Sequence, residues 1–308
     1  MTPTRRIALL AAGLLLLAAC QGGGTGGGGD GAGASPGTDG SPAAAGGDGG
    51  GDGGDYLARI QAAGVIKVST DPAYPPQSFL NEETNELEGF DIDVATEIAE
   101  RLGVDVQFET PDFSAVVAGG WSNRWDMSVG SITITPEREE ILDFTQPYYF
   151  VPVQMATTEG TGIETLEDFA GTTICVGEST TYQFWLEGTL QLPEEAGEPL
   201  PPPEDATVST LPTDINCAEA WRDGRMDSQG WVSSVTTVEQ AVADGMPVIP
   251  VGDFVFNEGL GVAFDRSVED NDSLVQAVDE IIAEMHEDGT LAELSEQWFE
   301  GIDYSQPQ

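Results

Sequence analysis

Short apolar runs alternate with amphipathic stretches along the chain from residue 56 onward. The run 65–69 (VIKVS) has the length and the β-branched content of a strand. After Asp91, apolar residues recur at a spacing of three and four as far as Leu102, so the pattern predicts a helix that Asp91 caps and Gly103 ends. The same rules predict strands at 104–108 and 127–132 and helices near 114–118 and after Thr135.

An apolar run at 151–157 then leads into a second series of the same kind. Its predicted elements are helices at 165–171 and 181–190, after Asp214 and at 232–245, and strands at 172–176, 207–211, 226–230 and 247–252. Residues 254–264 lead back, and two final helices, 272–286 and 291–299, are expected to pack on the first series.

Because the alternation of strands and helices restarts, the sequence predicts an α/β fold with two lobes. Lobe 1 comprises residues 56–155 and 255–308, and lobe 2 comprises residues 156–254. Two chain crossings between the lobes form a two-strand hinge, and the expected ligand site is the cleft between the strand ends of the two lobes.

The start of the chain has the composition of a targeting segment. Arg5 and Arg6 precede an apolar run, 7–19, which is too short to span a membrane permanently and ends in LAAC. We interpret residues 1–19 as a signal peptide and Cys20 as the lipidated first residue of the mature chain. The alternative is an ordinary secretory signal that is cut elsewhere.

Residues 20–55 are predicted to be a disordered tether. Glycine occupies 18 of the 35 positions after Cys20, and none of the 35 is aromatic or branched aliphatic, so this segment cannot bury enough apolar surface to fold. A lipid on Cys20 would anchor the protein to the outer face of the cell membrane, or in the periplasm, without spanning the bilayer.

The charge of the chain excludes several partners. It has 54 acidic and 10 basic residues and a formal net charge of −44, which becomes −46 when Arg5 and Arg6 leave with the signal peptide. Such a surface repels nucleic acids and anionic lipids, so we expect neither as a partner. The acidity would also fit a saline habitat, in which salt screens the repulsion. With His286 as the single histidine, we expect no metal site, no cofactor and no catalytic triad.

The stretch GSITITPEREEILDFTQPYY joins a strand end to a helix start. Thr135 and Pro136 are residue types of an N-cap and a first helical position, which sets Arg138 in the first turn. A guanidinium there, beside hydroxyl groups and unpaired backbone N–H groups, makes a site for a carboxylate. The alternative is an ion pair of Arg138 with an acid such as Glu139 or Asp143.

Several motifs, in one order along the chain, carry a resemblance to a known family. They are GVIKVSTDPAYPPQSF, LEGFDIDVATEIAERLGV, TITPERE followed by LDFTQPYY, and MHEDGTLAELSEQWF. Over roughly residues 56–304 they resemble the extracellular solute-binding protein family 3, the polar amino-acid receptors of ABC importers. The resemblance implies a type II periplasmic-binding-protein fold, a small-molecule ligand, an ABC permease as partner and a monomeric receptor.

The resemblance also implies ligand-binding roles. Tyr74 and Phe113 match the aromatic pair that sandwiches the aliphatic part of the ligand, and Asp71 stands where family members often read a side chain. Each has a plainer alternative, as a turn residue, a core residue and a solvated acid or N-cap respectively. The positions that match the family's carboxylate clamp are Gly130, Ser131, Thr133 and Arg138 in lobe 1, and Ser179 and Thr180, which are also an ordinary helix cap, in lobe 2.

One departure from the family's pattern affects the ligand. The aspartate that binds the ligand's α-ammonium group in the family corresponds here to Val232. A buried ammonium group needs a negative partner, so either another acid replaces it or the cation is delocalised or methylated and is bound by aromatic faces. The candidate acids are Glu178, Asp214 and Asp227, and the candidate aromatic residues are Trp231 first and then Trp121, Trp125 and Trp185.

Cysteine usage predicts one disulfide. With Cys20 assigned to lipid, Cys175 and Cys217 remain as a pair in an oxidising exterior. A bond between them would close a separation of 42 residues, and two buried free thiols are the alternative.

We therefore expect a substrate-binding lipoprotein that captures a small zwitterionic solute, an amino acid or a derivative, by closing two lobes on it. Compatible solutes such as ectoine or betaine are an alternative ligand class that fits the clamp and a saline habitat. The same resemblance is compatible with a cyclohexadienyl dehydratase-like enzyme or with a surface sensory protein. The lack of a Ser/His/Asp or Cys/His set favours binding over catalysis.

Replacing the lipidated cysteine should release the protein from the membrane. We expect Cys20→Ser to move the protein from the membrane fraction to the medium or periplasm, because a tether without its lipid has no apolar surface to insert. Thr25→Ala, in the same tether, is the control and should stay with the membrane. Unchanged membrane association of Cys20→Ser, measured by fractionation and immunoblot, would contradict the assignment.

Overall fold

A computed structural model describes residues 55–225 and 227–307. The predicted signal peptide, the predicted lipidation site Cys20 and nearly all of the predicted tether lie outside these residues. The strands are β1 (Val65–Ser69), β2 (Ala73–Tyr74), β3 (Ser78–Asn81), β4 (Glu86–Glu88), β5 (Asp105–Glu109), β6 (Met127–Thr133), β7 (Leu142–Phe144), β8 (Tyr149–Thr157), β9 (Thr173–Gly177), β10 (Thr207–Leu211), β11 (Gly230–Ser234) and β12 (Ile249–Asp265).

The helices lie mostly between consecutive strands. They are α1 (Tyr56–Ala63), α2 (Phe90–Leu102), α3 (Phe113–Val117), α4 (Pro136–Glu139), α5 (Thr181–Leu186), α6 (Ile215–Arg222), α7 (Val235–Ala243), α8 (Asp272–Glu287) and α9 (Thr290–Trp298). Two short 3-10 helices span Leu166–Phe169 and Glu194–Ala196. In the part of the chain that the structure describes, no helix is long and apolar enough to cross a bilayer.

Two long strands connect the two halves of the fold. The main sheet has the order β10-β9-β11-β8-β12-β6-β1-β5, with β7 also paired to β12. In one half β1 runs parallel to β5 and β6, and in the other β9 runs parallel to β10 and β11. The antiparallel pair β8 and β12 extends between them, from Ile249 opposite Thr157 to Leu260 opposite Tyr149. This confirms the predicted α/β fold with two lobes and a two-strand hinge.

Each lobe has its own apolar core. In lobe 1, Ile66 of β1 and Ile98 of α2 pack with Ile282 of α8 and Leu291 of α9, so the two final helices cover the first lobe as expected. In lobe 2, Phe169, Trp185 and Val232 form one cluster, which also includes Phe256 of the hinge strand β12, and residues around Trp231 form another. Apart from Val235 of α7 and Ala73 of β2, which pack on the other lobe's cluster, the cores are separate, so each lobe can move as a unit about the hinge strands.

Several predicted elements differ from the observed ones. The strand predicted at 226–230 is instead Gly230–Ser234, and the helix predicted from 232 begins at Val235. The reason is Ser234, whose hydroxyl accepts a hydrogen bond from the N–H of Thr237 (3.3 Å) and so caps α7. The helix predicted at 165–171 is only a short 3-10 helix, and the one predicted at 181–190 ends at Leu186, two residues before Gly188 adopts a φ of 69°.

Asp91 is not the N-cap that the sequence predicts. Gly89 occupies the cap position, and Asp91 lies inside the first turn of α2 with no solvent exposure. Its carboxylate accepts hydrogen bonds from the hydroxyls of Tyr148 (2.7 Å) and Ser131 (2.8 Å). Burial raises the pKa of Asp91 to about 7, and the two hydrogen bonds oppose this rise.

The predicted disulfide is present. The sulfur atoms of Cys175 and Cys217 are 2.00 Å apart, and the two Cα atoms are 5.7 Å apart. The bond joins β9 to α6 inside the lobe-2 core.

Removing the disulfide should destabilise lobe 2. We expect Cys175→Ala/Cys217→Ala to lower the free energy of unfolding by about 4 kcal/mol, because the bond closes a 42-residue separation in the unfolded chain. Urea unfolding of the oxidised wild type, the reduced wild type and the double variant measures this. The reduced wild type and the variant should agree, and three superimposable curves would contradict a stabilising role.

The buried Asp91 should make stability fall with rising pH. The folded chain retains the Asp91 proton up to a pKa of about 7, whereas the unfolded chain loses it near pH 4, so this group's contribution declines between these values and is constant above pH 7. Asp91→Asn cannot titrate, and its free energy of unfolding relative to wild type should rise by roughly 2–4 kcal/mol over that window.

Urea unfolding at pH 4.5, 6 and 7.5 measures this difference. Glu100→Gln, an exposed change on the same helix, is the matched control and should follow the wild-type profile. A difference between Asp91→Asn and wild type that does not vary with pH would contradict the prediction.

Candidate ligand-binding cleft

A small cavity lies between the lobes at the ends of their strands. Its volume is about 40 Å³, counted as the space in which the centre of a water molecule can lie. Of the residues that the family resemblance singles out, those lining it are Asp71, Tyr74, Phe113, Gly130, Ser131, Thr133, Arg138 and Thr180. Residues of both lobes line this small cavity, so the lobes are closed around the site.

Arg138 is buried at the base of the cavity, with 4% of its surface exposed. The hydroxyl of Thr135 accepts a hydrogen bond from the Arg138 N–H (3.2 Å), which is the predicted cap. In the side chain, Nη1 donates to the carbonyl of Thr133 in lobe 1 (2.9 Å), and Nη2 donates to the carbonyl of Ser179 in lobe 2 (3.1 Å). One guanidinium thus spans both lobes.

The guanidinium keeps an unused donor. Among the described residues, no ion pair includes Arg138, and Asp143 pairs instead with Arg266 (2.9 Å). Its Nε atom is buried and has no hydrogen-bond partner. Burial lowers the pKa of Arg138 to about 10, so the group stays positively charged at neutral pH. The geometry therefore rules out the ion pair with Glu139 or Asp143.

A carboxylate that the sequence analysis missed lies beside this arginine. Glu258, on the hinge strand β12, is 1% exposed and accepts hydrogen bonds from the hydroxyls of Thr133 (2.7 Å) and Tyr182 (3.1 Å) and from that of Thr181. Burial raises the pKa of Glu258, and Arg138 opposes that rise. An acid within the mostly apolar return strand FVFNEGLGVAF was the available signal.

Aromatic side chains from both lobes meet above the site. The hydroxyl of Tyr74 lies 3.1 Å from that of Tyr182 across the cleft and donates to Ser234 (3.0 Å). The Cζ atom of Arg138 lies 5.5 Å from the centre of the Phe113 ring, within the range of a cation–π contact. Tyr74 and Phe113 therefore face the cavity, whereas Tyr182 was not singled out by the sequence.

Ser131 connects the cavity wall to the buried network around Asp91. Its φ is 54°, a left-handed backbone conformation, and its N–H donates to the hydroxyl of Tyr148 (3.1 Å). The Ser131 hydroxyl donates to Asp91 and accepts from Tyr149 (2.6 Å). The adjacent Gly130 lines the cavity with backbone only.

The two residues of the turn before α5 in lobe 2 have different roles. Thr180 lines the cavity and caps α5, accepting from the N–H of Gln183 (3.3 Å). Ser179 does not line the cavity, and its carbonyl is the acceptor for Arg138. Thr181 and Tyr182, the next residues, line the cavity although the sequence analysis did not select them.

The tryptophan assignments are not supported by the structure. Trp231 is fully buried in the lobe-2 core, where it packs with Trp221 and Val238, and it does not line the cavity. This corrects the expectation that it offers an aromatic face, because an inward side chain on a strand with both faces covered cannot reach the cleft. Trp121, Trp125 and Trp185 are likewise core residues.

Two acids line the cavity. Asp71 accepts a hydrogen bond from the N–H of Ala73 (2.8 Å), and burial raises its pKa. Asp214, from the opposite lobe, is 4% exposed, and burial raises its pKa to about 7. The other acids considered as replacements at the Val232 position, Glu178 and Asp227, are exposed and lie outside the cavity wall.

Comparison with known proteins agrees with this architecture. The L-cystine-binding protein TcyJ of Escherichia coli K12 is 29% identical over 245 residues, covering 79% of this chain and 85% of that protein. The solved ancestral amino acid-binding protein AncCDT-1, a precursor of cyclohexadienyl dehydratase, has a TM-score of 0.66 and 26% identity over 79% of this chain and 99% of its own.

An ancestral arginine-binding protein bound to arginine has a TM-score of 0.65 and 27% identity, over 77% of this chain and 98% of its own. The family profile described as bacterial extracellular solute-binding proteins, family 3, matches residues 66–301, which include both lobes and both hinge strands. The chain therefore belongs to the bacterial extracellular solute-binding proteins, family 3.

Proposed function

We propose that this protein is the substrate-binding component of an ABC importer and that it captures a small α-amino acid or a related zwitterion between its two lobes. The observation that carries the proposal is that Arg138 lines the cavity while its buried Nε–H has no hydrogen-bond partner among the described residues. A buried donor without a partner is unfavourable by about 1–3 kcal/mol, and more when it is charged. A ligand carboxylate would satisfy it and would add charge-assisted hydrogen bonds.

The remaining wall fits the rest of such a ligand. Tyr74 and Phe113 would cover its aliphatic part, and Thr180 would contact its carboxylate from lobe 2. Asp71 and Asp214 make the wall suitable for a cationic group. A zwitterion thus supplies the charges that the closed cleft lacks.

The names of two related proteins indicate which ligands to test first. One relative is named as an L-cystine-binding protein and one neighbour as an arginine-binding protein, and both amino acids carry the α-carboxylate and α-ammonium groups that the cleft would bind. Betaine-type ligands belong in the same test, because their methylated cation would rely on the aromatic rings of Tyr74, Phe113 and Tyr182, since none of the four candidate tryptophans lines the cavity.

We propose a binding protein and not an enzyme. His286 lies on α8 with its Nε2 atom 2.8 Å from the carbonyl of Pro147, and it does not line the cavity. The neighbour AncCDT-1 is itself named as an amino acid-binding protein, although it preceded a dehydratase.

We also propose a location at the membrane and an ABC permease as the partner of this protein. We expect the lipid on Cys20 to hold the monomeric receptor at the outer face of the membrane, where the closed lobes are recognised by an ABC permease. A sensory receptor would use the same closure, and a permease gene and an ATPase gene beside this one would favour transport.

Calorimetry with amino acids, ectoine and betaine tests the carboxylate site. Arg138→Gln should raise the Kd of every carboxylate ligand at least about a hundredfold, because it removes two or more charge-assisted hydrogen bonds. Arg138→Lys retains the charge and loses the fork, and it should give an intermediate loss.

Arg266→Gln is the matched control. This arginine also lies in lobe 1 but is half exposed and pairs with Asp143, so its removal should leave the Kd unchanged. Thermal melts of each variant establish that it is folded. Equal affinity of wild type and folded Arg138→Gln would remove the arginine from the site and overturn the proposal.

A further inference from the structure

We propose that Asp214 binds the cationic amine of the ligand, and that binding of an amine-bearing ligand releases a proton from this carboxyl group. The inference rests on the proposed function, since it takes the ligand carboxylate to be bound by Arg138. It assigns Asp214 as the residue that selects ligands with a protonated amine.

The first support is that Asp214 is held in place at the cavity. The N–H of Gly177 donates to one carboxylate oxygen (2.5 Å) and the hydroxyl of Ser233 to the other (3.2 Å). A Cβ atom at position 177 would lie 2.5 Å from the Asp214 Oδ1 atom, so only glycine leaves room for it. These contacts orient the carboxylate without neutralising its charge.

The second support is that Asp214 has no ion-pair partner in the part of the chain that the structure describes. No ion pair among residues 55–225 and 227–307 includes Asp214, although it is nearly fully buried and lines the cavity. A buried carboxylate that lacks an opposite charge is unfavourable until one arrives. An ammonium group in the cavity would provide that charge.

The third support is where the two charged groups lie. Arg138 belongs to lobe 1 and Asp214 to lobe 2, and both line one cavity of about 40 Å³. The carboxylate and ammonium groups of an α-amino acid are attached to one carbon atom, so a ligand on Arg138 presents its amine within this small space. The zwitterion would then connect the lobes by one charge contact on each side.

The position where the family resemblance places an ammonium-binding aspartate is closed to this role. Val232 is fully buried in the lobe-2 core. The adjacent Ser233 instead donates its hydroxyl to Asp214. The same strand therefore orients an acid that comes from the start of α6.

Release of a proton follows from the surroundings of Asp214. Burial is the largest cause that raises the pKa of Asp214 to about 7, and the hydrogen bonds from Gly177 and Ser233 oppose it. At pH 7 about half of the free protein therefore carries this proton, and a bound ammonium group would displace it. The titratable or charged groups that face Asp214 or share its cavity are Asp71 and Tyr74 from lobe 1, Tyr182 from α5, Glu258 from β12, and Arg138.

Two pairs of test ligands distinguish binding of the ligand's amine from binding of its carboxylate. They are L-arginine with 5-guanidinopentanoate, and L-cystine with 3,3′-dithiodipropionate, where the second member of each pair lacks the α-amine. Asp214→Asn should raise the Kd of the amino acid at least about thirtyfold, by analogy with other charge-assisted contacts, and that of the amine-free analogue less than about threefold. Arg138→Lys should weaken both members of a pair.

Proton release is measured by calorimetry at pH 7 in buffers with different ionisation enthalpies. Wild type should release up to about half a proton with the amino acid and none with the analogue. Glu178→Gln, a change at an exposed lobe-2 acid outside the cavity wall, is the matched control and should retain the release, whereas Asp214→Asn should lose it. If Asp214→Asn does not fold, the wild-type measurement alone decides the point.

The outcomes distinguish this inference from the proposed function. If Arg138→Lys weakens binding but Asp214→Asn affects both test ligands of a pair equally, or if wild type releases no proton, the inference is wrong and the carboxylate site stands. If neither amino acid binds wild type, both fail.

Discussion

A positive charge buried between two lobes is the constraint on which this structure depends. The Arg138 guanidinium cannot be solvated at the base of the cleft, so the fold supplies carbonyl acceptors from Thr133 and Ser179, one from each lobe. Glu258 on the hinge supplies a nearby negative charge and is itself hydrogen-bonded by residues of both lobes. The guanidinium therefore has its full set of carbonyl acceptors only when the two lobes are closed.

Buried acidic side chains, in contrast to this buried cation, also lie around the cleft. Asp91, Asp214 and Glu258 are buried, and burial raises the pKa of each. They are oriented by hydroxyl and N–H donors, which fix position but do not provide a full opposite charge. The positive charge of Arg138 partly offsets that of Glu258, whereas neither Asp91 nor Asp214 has an ion-pair partner among the described residues.

The two hinge strands allow the cleft side chains of the two lobes to come together and to move apart. The strands β8 and β12 belong to the sheets of both lobes, so a small rotation within them moves two packed cores as rigid bodies. The cross-lobe contact between Tyr74 and Tyr182 is a hydrogen bond of neutral groups and not an apolar interface. Contacts of this kind exchange readily with water, which suits a cleft that must open.

The sequence by itself determined the local elements and the family. Apolar spacing identified β1, α2 and the final helices, the Thr135 cap placed Arg138, and the two remaining cysteines indicated their bond. Only the tertiary structure decided that Glu258, Thr181 and Tyr182 meet at Arg138, that Asp214 lines the cavity, and that Trp231 lies in the core. The physical reason is that periodicity and capping act between near neighbours in the chain, whereas the composition of a cleft depends on which distant segments pack together.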